Sequence, residues 1–111
     1  MRSDAERLRD VLEAIERIEK YRARGREAFD GDELIQNWML HHLQIIGEAV
    51  RAISADLKER NPAIPWSKIV GMRNILVHDY FGIDLEIVWN AVDTDLQSFK
   101  KEIERLIPEI S

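Results

Sequence analysis

A chain of 111 residues, with 45% apolar and 33% charged side chains, is long enough to bury a core and has the composition of a folded globular protein rather than a disordered one. It contains no cysteine, which excludes disulfides and thiol chemistry, and its net charge of −5 argues against a general grip on nucleic acid, whose binders are usually basic. The charged opening MRSDAERLRD lacks the apolar run of a secretory leader, and no stretch approaches the roughly 18 apolar residues of a membrane span. The expectation is one cytoplasmic domain over residues 1–111, with no membrane association.

The first predicted helix opens on Ser3-Asp4-Ala5-Glu6, a capping box in which hydroxyl and carboxylate each satisfy an orphan backbone N–H. Leu8, Val11, Leu12, Ile15 and Ile18 follow at helical spacing, and the stripe fades near Gly25, a candidate C-cap. A second helix is expected from Asp30–Asp32 to about Arg60, ahead of Pro62 and Pro65. Its apolar positions, among them Leu34, Ile35, Trp38, Met39, Leu43, Ile46, Val50, Ile53 and Leu57, are broader than one bundle face needs, which suggests two buried faces, part of one against another chain. Gly47 inside this pattern suggests close packing against a neighbour.

A third, short helix starts near Pro65-Trp66 and stops between Asp79 and Gly82. The fourth is capped by Asp84, carries Leu85, Val88, Trp89, Val92, Leu96, Phe99, Ile103 and Leu106, and is expected to end at Pro108. No segment alternates as a strand does. The fold class is therefore all-α, a four-helix bundle with room for a fifth short turn.

The stretch RNILVHDY, residues 73–80, closes the most basic part of the chain: from Lys58 to Arg73 the cations Lys58, Arg60, Lys68 and Arg73 face Glu59 alone. Arg73 and His78 lie about 140° apart around a helix and roughly 7.5 Å apart along it, so one helix presents them poorly to one small substrate. Asn74 shares a face with His78. A two-fold dimer would bring two copies of this helix together, so that both pairs line one cleft.

Histidine can take and return a proton near neutral pH, and arginine can hold a phosphate oxygen through two donors. Together they suit RNA cleavage without metal, His78 accepting the proton of a 2′-hydroxyl and Arg73 stabilising charge on phosphorus. The same residues also fit a structural role, His78 as a cation at a helix C-terminus and Asp79 and Tyr80 as turn residues. His41 and His42 point to different helix faces and read as solvated or interface residues, and Trp38, Trp66 and Trp89 as core or interface. No zincin spacing, P-loop, dinucleotide turn or Ser–His–Asp order is present, and neither a cofactor nor a metal site is expected.

The longer context is more specific. IGEAV at 46–50, NPAIPWSKIVGMRNILVHDYFGID at 61–84, VWNAV at 88–92 and DLQSF at 95–99 resemble the HEPN superfamily, and within it the HepT-like toxins of toxin–antitoxin pairs. The resemblance covers nearly the whole chain. It implies a homodimeric, metal-independent RNA endonuclease with Arg73 and His78 as the catalytic pair and Asn74 in support. It also implies a cognate antitoxin, a minimal nucleotidyltransferase similar to MntA, that transfers AMP onto Tyr80. The alternative is a non-catalytic HEPN partner of such a nucleotidyltransferase.

Overall fold

The computed structural model describes residues 2–78 and 84–110, and of 73–78 the backbone alone. The order of elements is α1 (Asp4–Arg22), α2 (Arg26–Gly31), α3 (Glu33–Arg51), α4 (Ala55–Arg60), α5 (Trp66–His78), α6 (Leu85–Asn90), a π-helical turn (Ala91–Asp95) and α7 (Leu96–Ile110). No strand occurs among the described residues. The architecture is an all-α bundle in which four predicted helices become, among the described residues, seven α-helices and a π-helical turn. Its radius of gyration, 13.9 Å, is close to the roughly 13 Å of a compact chain of this length.

The capping box forms as its residues require. The backbone N–H of Glu6 donates to Ser3 Oγ at 3.1 Å, and the N–H of Ser3 reaches Glu6 Oε1 at 3.4 Å. Leu8, Val11, Ile15 and Ile18 are all fully buried, and Leu12 packs half-buried against them. α1 lies between α3 and α7, and α3 carries α5 on its other side. The helices alternate in direction. Asp4 at the start of α1 meets Ser54 just past the end of α3, while Glu19 near its end meets Lys100 early in α7.

Three boundaries differ from the sequence expectation. Gly25 does not close α1, which ends on Ala23 with its N–H bonded to Glu19 O. Gly25 instead opens the short α2 at φ +91°, a left-handed conformation that glycine alone adopts at little cost. The second expected helix is broken at residues 52–54. There the hydroxyl and N–H of Ser54 donate to the Asp4 carboxylate at 2.6 and 3.0 Å, and Ser54 Oγ caps α4 by accepting from Leu57 N–H at 3.2 Å. Ile53 within the break and Leu57 beyond it are both buried, which is why the apolar spacing reads as continuous. Pro108 does not stop the last helix: it lies within α7, which runs two residues further to Ile110.

The breadth of the α3 stripe is met inside the chain. Ile35, Met39, Leu43, Ile46, Gly47 and Val50 are buried in a helix packed against both α1 and α5. Leu34, 79% exposed, is the large apolar side chain of α3 left to solvent.

Candidate active site

α5 carries the motif, and its start is fixed by a dense set of bonds. Asn61 Nδ2 donates to Leu57 O at 3.0 Å, closing α4, and Trp66 Nε1 donates to Asn61 O at 3.0 Å. Pro65 supplies the first helical carbonyl, accepting from Ile69 N–H at 3.2 Å, and its own missing N–H costs nothing there. The Trp66 ring packs edge-to-face on Phe99 with centroids 6.0 Å apart, which joins α5 to α7. Lys68 Nζ binds Asp95 Oδ1 at 3.1 Å, which joins it to the π turn. Ile69 and Met72 continue the buried face.

From this anchored start the backbone stays helical to residue 78, so positions 73, 74 and 78 occupy the last two turns of α5. The spacing expected for Arg73 and His78 therefore applies: one helix separates them around its axis, and positions 74 and 78 share a line. Tyr80, with Asp79, lies outside the described residues. Chain description resumes at Asp84, whose Oδ1 accepts from Glu86 N–H at 3.0 Å and Ile87 N–H at 3.3 Å to cap α6.

The histidine pair departs in part from expectation. His41 is exposed, but His42 is 5% exposed and belongs to the core side of α3. Its Nδ1 lies 2.7 Å from Trp38 O. A carbonyl can only accept, so the proton sits on Nδ1. Burial, with help from His41 and Arg17, holds the His42 pKa below its ordinary value, although the bond to Trp38 pulls the other way. Trp66 is buried, whereas Trp38 and Trp89 are half-buried. Trp38 Nε1 donates to Arg17 O at 2.8 Å, and Trp89 stacks at a tilt on Phe29 with centroids 5.4 Å apart.

Two hollows flank these elements. The larger, about 500 Å³, lies between α1 and α3 beside His41 and His42. Of its charged lining, Arg2 is paired with Asp10 and Arg17 with Glu13, and Arg7 and Glu48 also border it. The second, about 330 Å³, lies where the end of α3 and α4 meet the first half of α5, lined by Arg51, Lys58, Trp66, Ser67, Val70 and Gly71. Arg51 escaped the sequence count of basic residues because it sits on α3, seven positions before Lys58 and across the break at Ser54. An i, i+7 spacing was the signal available for it. Among the described residues no cluster of three His, Asp or Glu side chains could hold a metal ion.

The chain matches the family model described as "Ribonuclease HepT-like" over residues 11–106. It is 41% identical to a protein of Thermococcus cleftensis named probable ribonuclease HepT, over 95% of this chain and 96% of that one. It is 40% identical to a Methanocaldococcus jannaschii protein named as a putative RNase, over 87% and 90% of the two chains, and 30% identical to one so named in Caldanaerobacter subterraneus subsp. tengcongensis, over 81% and 80%. No solved structure matches the chain at a significant level. With the model spanning most of its length and these relatives aligned almost end to end, the chain belongs to the HepT-like ribonuclease family.

Proposed function

We propose that the chain is a metal-independent RNA endonuclease and the toxin of a toxin–antitoxin pair, with Arg73 and His78 as its catalytic residues. The observation that carries this reading is that the described part of the motif, RNILVH at 73–78, lies on a helix, α5, in a chain of the HepT-like ribonuclease family. His78 takes the proton of a ribose 2′-hydroxyl, and the freed oxygen attacks the adjacent phosphorus. The bond from phosphorus to the 5′-oxygen breaks, and that oxygen leaves with a proton returned by imidazolium. The products are a 2′,3′-cyclic phosphate and a 5′-hydroxyl. Arg73 neutralises charge on the phosphoryl oxygens through two donors, a role that asks for a guanidinium rather than a metal. Asn74, on the line of His78, supports the site.

The 140° between Arg73 and His78 is the argument for a homodimer, because two copies of α5 can then present all four side chains to one strand. AMP transfer to Tyr80 by a minimal nucleotidyltransferase antitoxin is the matching off-switch. Each AMP adds a phosphate charge and a bulky nucleoside beside the cleft and repels RNA.

The test is cleavage of tRNA and mRNA by unmodified protein in excess EDTA, with Arg73→Ala and His78→Ala alongside. Cleavage that survives chelation, leaves cyclic phosphate ends and falls at least about 100-fold in each variant supports the mechanism. No cleavage by a folded dimer free of AMP overturns it and moves the reading to a binding partner of the nucleotidyltransferase.

A further inference from the structure

The hollow at the junction of α3, α4 and α5 is cationic, uncompensated and aligned with the motif. Arg51 is exposed and Lys58 half-buried, and neither makes an ion pair among the described residues. Their neighbours in the basic stretch are neutralised: Arg60 by Asp56 at 3.1 Å, and Lys68 by Asp95 at 3.1 Å. Among the described residues no carboxylate lines the hollow. Lys58 Nζ donates to Arg51 O at 3.4 Å, which holds the ammonium at the end of α3, on the same side as the guanidinium's own residue.

The floor is low. Ser67 is exposed, and a Cβ built on Gly71 would meet nothing within 4 Å. A sugar–phosphate chain can therefore lie against α5 there. Positions 67, 71, 74 and 78 differ by four, three and four residues, so they fall within about 60° of one another around the helix. The line that floors the hollow runs on to Asn74 and His78, and position 71 lies about 10 Å from position 78 along the axis.

We propose that Arg51 and Lys58 form a phosphate-binding subsite for the RNA backbone, beyond the cleaved bond on the side of the first half of α5. This rests on the ribonuclease reading above. It also explains how a chain of net charge −5 engages RNA at all: through a local pair of unspent cations rather than a general field.

The experiment uses Arg51→Gln, Lys58→Gln and the double variant of the full chain, each checked for fold by circular dichroism and for oligomeric state by sedimentation. Binding is read with a 2′-O-methyl RNA that cannot be cleaved, and turnover with the same sequence as RNA and with a dinucleotide that spans only the scissile bond. Each single variant should weaken oligonucleotide binding about threefold to tenfold and lower the salt slope by about 0.7, the share of one single-strand phosphate contact. KM for the oligonucleotide should rise while kcat, and turnover of the dinucleotide, stay as in the parent. Unchanged affinity and slope overturn the subsite, as does loss of the oligomer, which would make these residues an interface. Cleavage that persists with KM unchanged in the double variant overturns the subsite and leaves the ribonuclease reading standing. Binding with the expected slopes but no cleavage by the parent supports the subsite and overturns catalysis.

Discussion

The indole nitrogen of Trp66 donates to the main-chain oxygen of Asn61 across 3.0 Å, and so ties the first turn of the motif helix to the end of α4. Trp66→Phe keeps most of the apolar ring against Phe99 but loses this bond. The expected cost is about 1–2 kcal/mol, from an unsatisfied carbonyl and a small cavity. It should show as a lower urea midpoint with an unchanged slope, whereas an unshifted midpoint would mean that the turn is held by its other bonds.

Asp4 and Ser54 make a corresponding join at the start of α1. Ser54→Ala removes both an N-cap and the hydroxyl that donates to the Asp4 carboxylate, leaving the backbone N–H donor, with an expected loss of about 1–2 kcal/mol. Asp4→Ala should cost less when Ser54 is already alanine. A double-mutant cycle in urea that returns a coupling of at least about 0.5 kcal/mol supports the join, and strict additivity would refute it.

His42 makes stability depend on pH. Its folded pKa lies below its ordinary value, chiefly through burial. Well above about pH 6.5 the ring is neutral in both the folded and unfolded chain, and its contribution is constant. As pH falls through 6.5 the unfolded chain takes up a proton that the folded chain resists, so stability declines until the folded ring titrates too. The urea midpoint should fall between about pH 7.5 and pH 5.5. His42→Asn, which retains a donor for Trp38 O, should flatten that fall relative to the parent. An identical fall in both proteins would place the titration elsewhere.

Tyr80→Phe separates the proposed modification from catalysis. Cleavage should remain within about threefold of the parent, because a phenylalanine ring preserves the aromatic bulk and the proposed reaction draws on Arg73 and His78 alone. The variant should resist AMP transfer by the cognate nucleotidyltransferase. Mass spectrometry that recovers AMP on the variant would show that Tyr80 is not the acceptor.

The sequence by itself determined what depends on near neighbours along the chain. The Ser3–Glu6 capping box, the Asp84 cap, the Pro65 start and the stripes of α1 and α7 all rest on spacings of three and four residues, and all appear in the fold. RNILVHDY and its flanks were also legible at this level, because the family pattern is a linear string, and the family match confirms that identification.

The tertiary structure decided what depends on residues far apart. Asp4 reaches Ser54 across 50 positions and converts one apparent helix into α3 and α4. The periodicity of Ile53 and Leu57 could not reveal this, since burial continues through the break. Much of the broad face of α3 is covered by α1 and α5 of the same chain, while Leu34 stays exposed and Ile45 and Ala49 half-buried. His42 is drawn into the core by the same packing, while its neighbour His41 stays in solvent. The Arg51–Lys58 hollow exists only because the turn at Ser54 folds α4 beside the start of α5. Local spacing sets which face of a helix is apolar; which neighbour covers that face, and which charges are left unpaired, is decided by the packing of the helices.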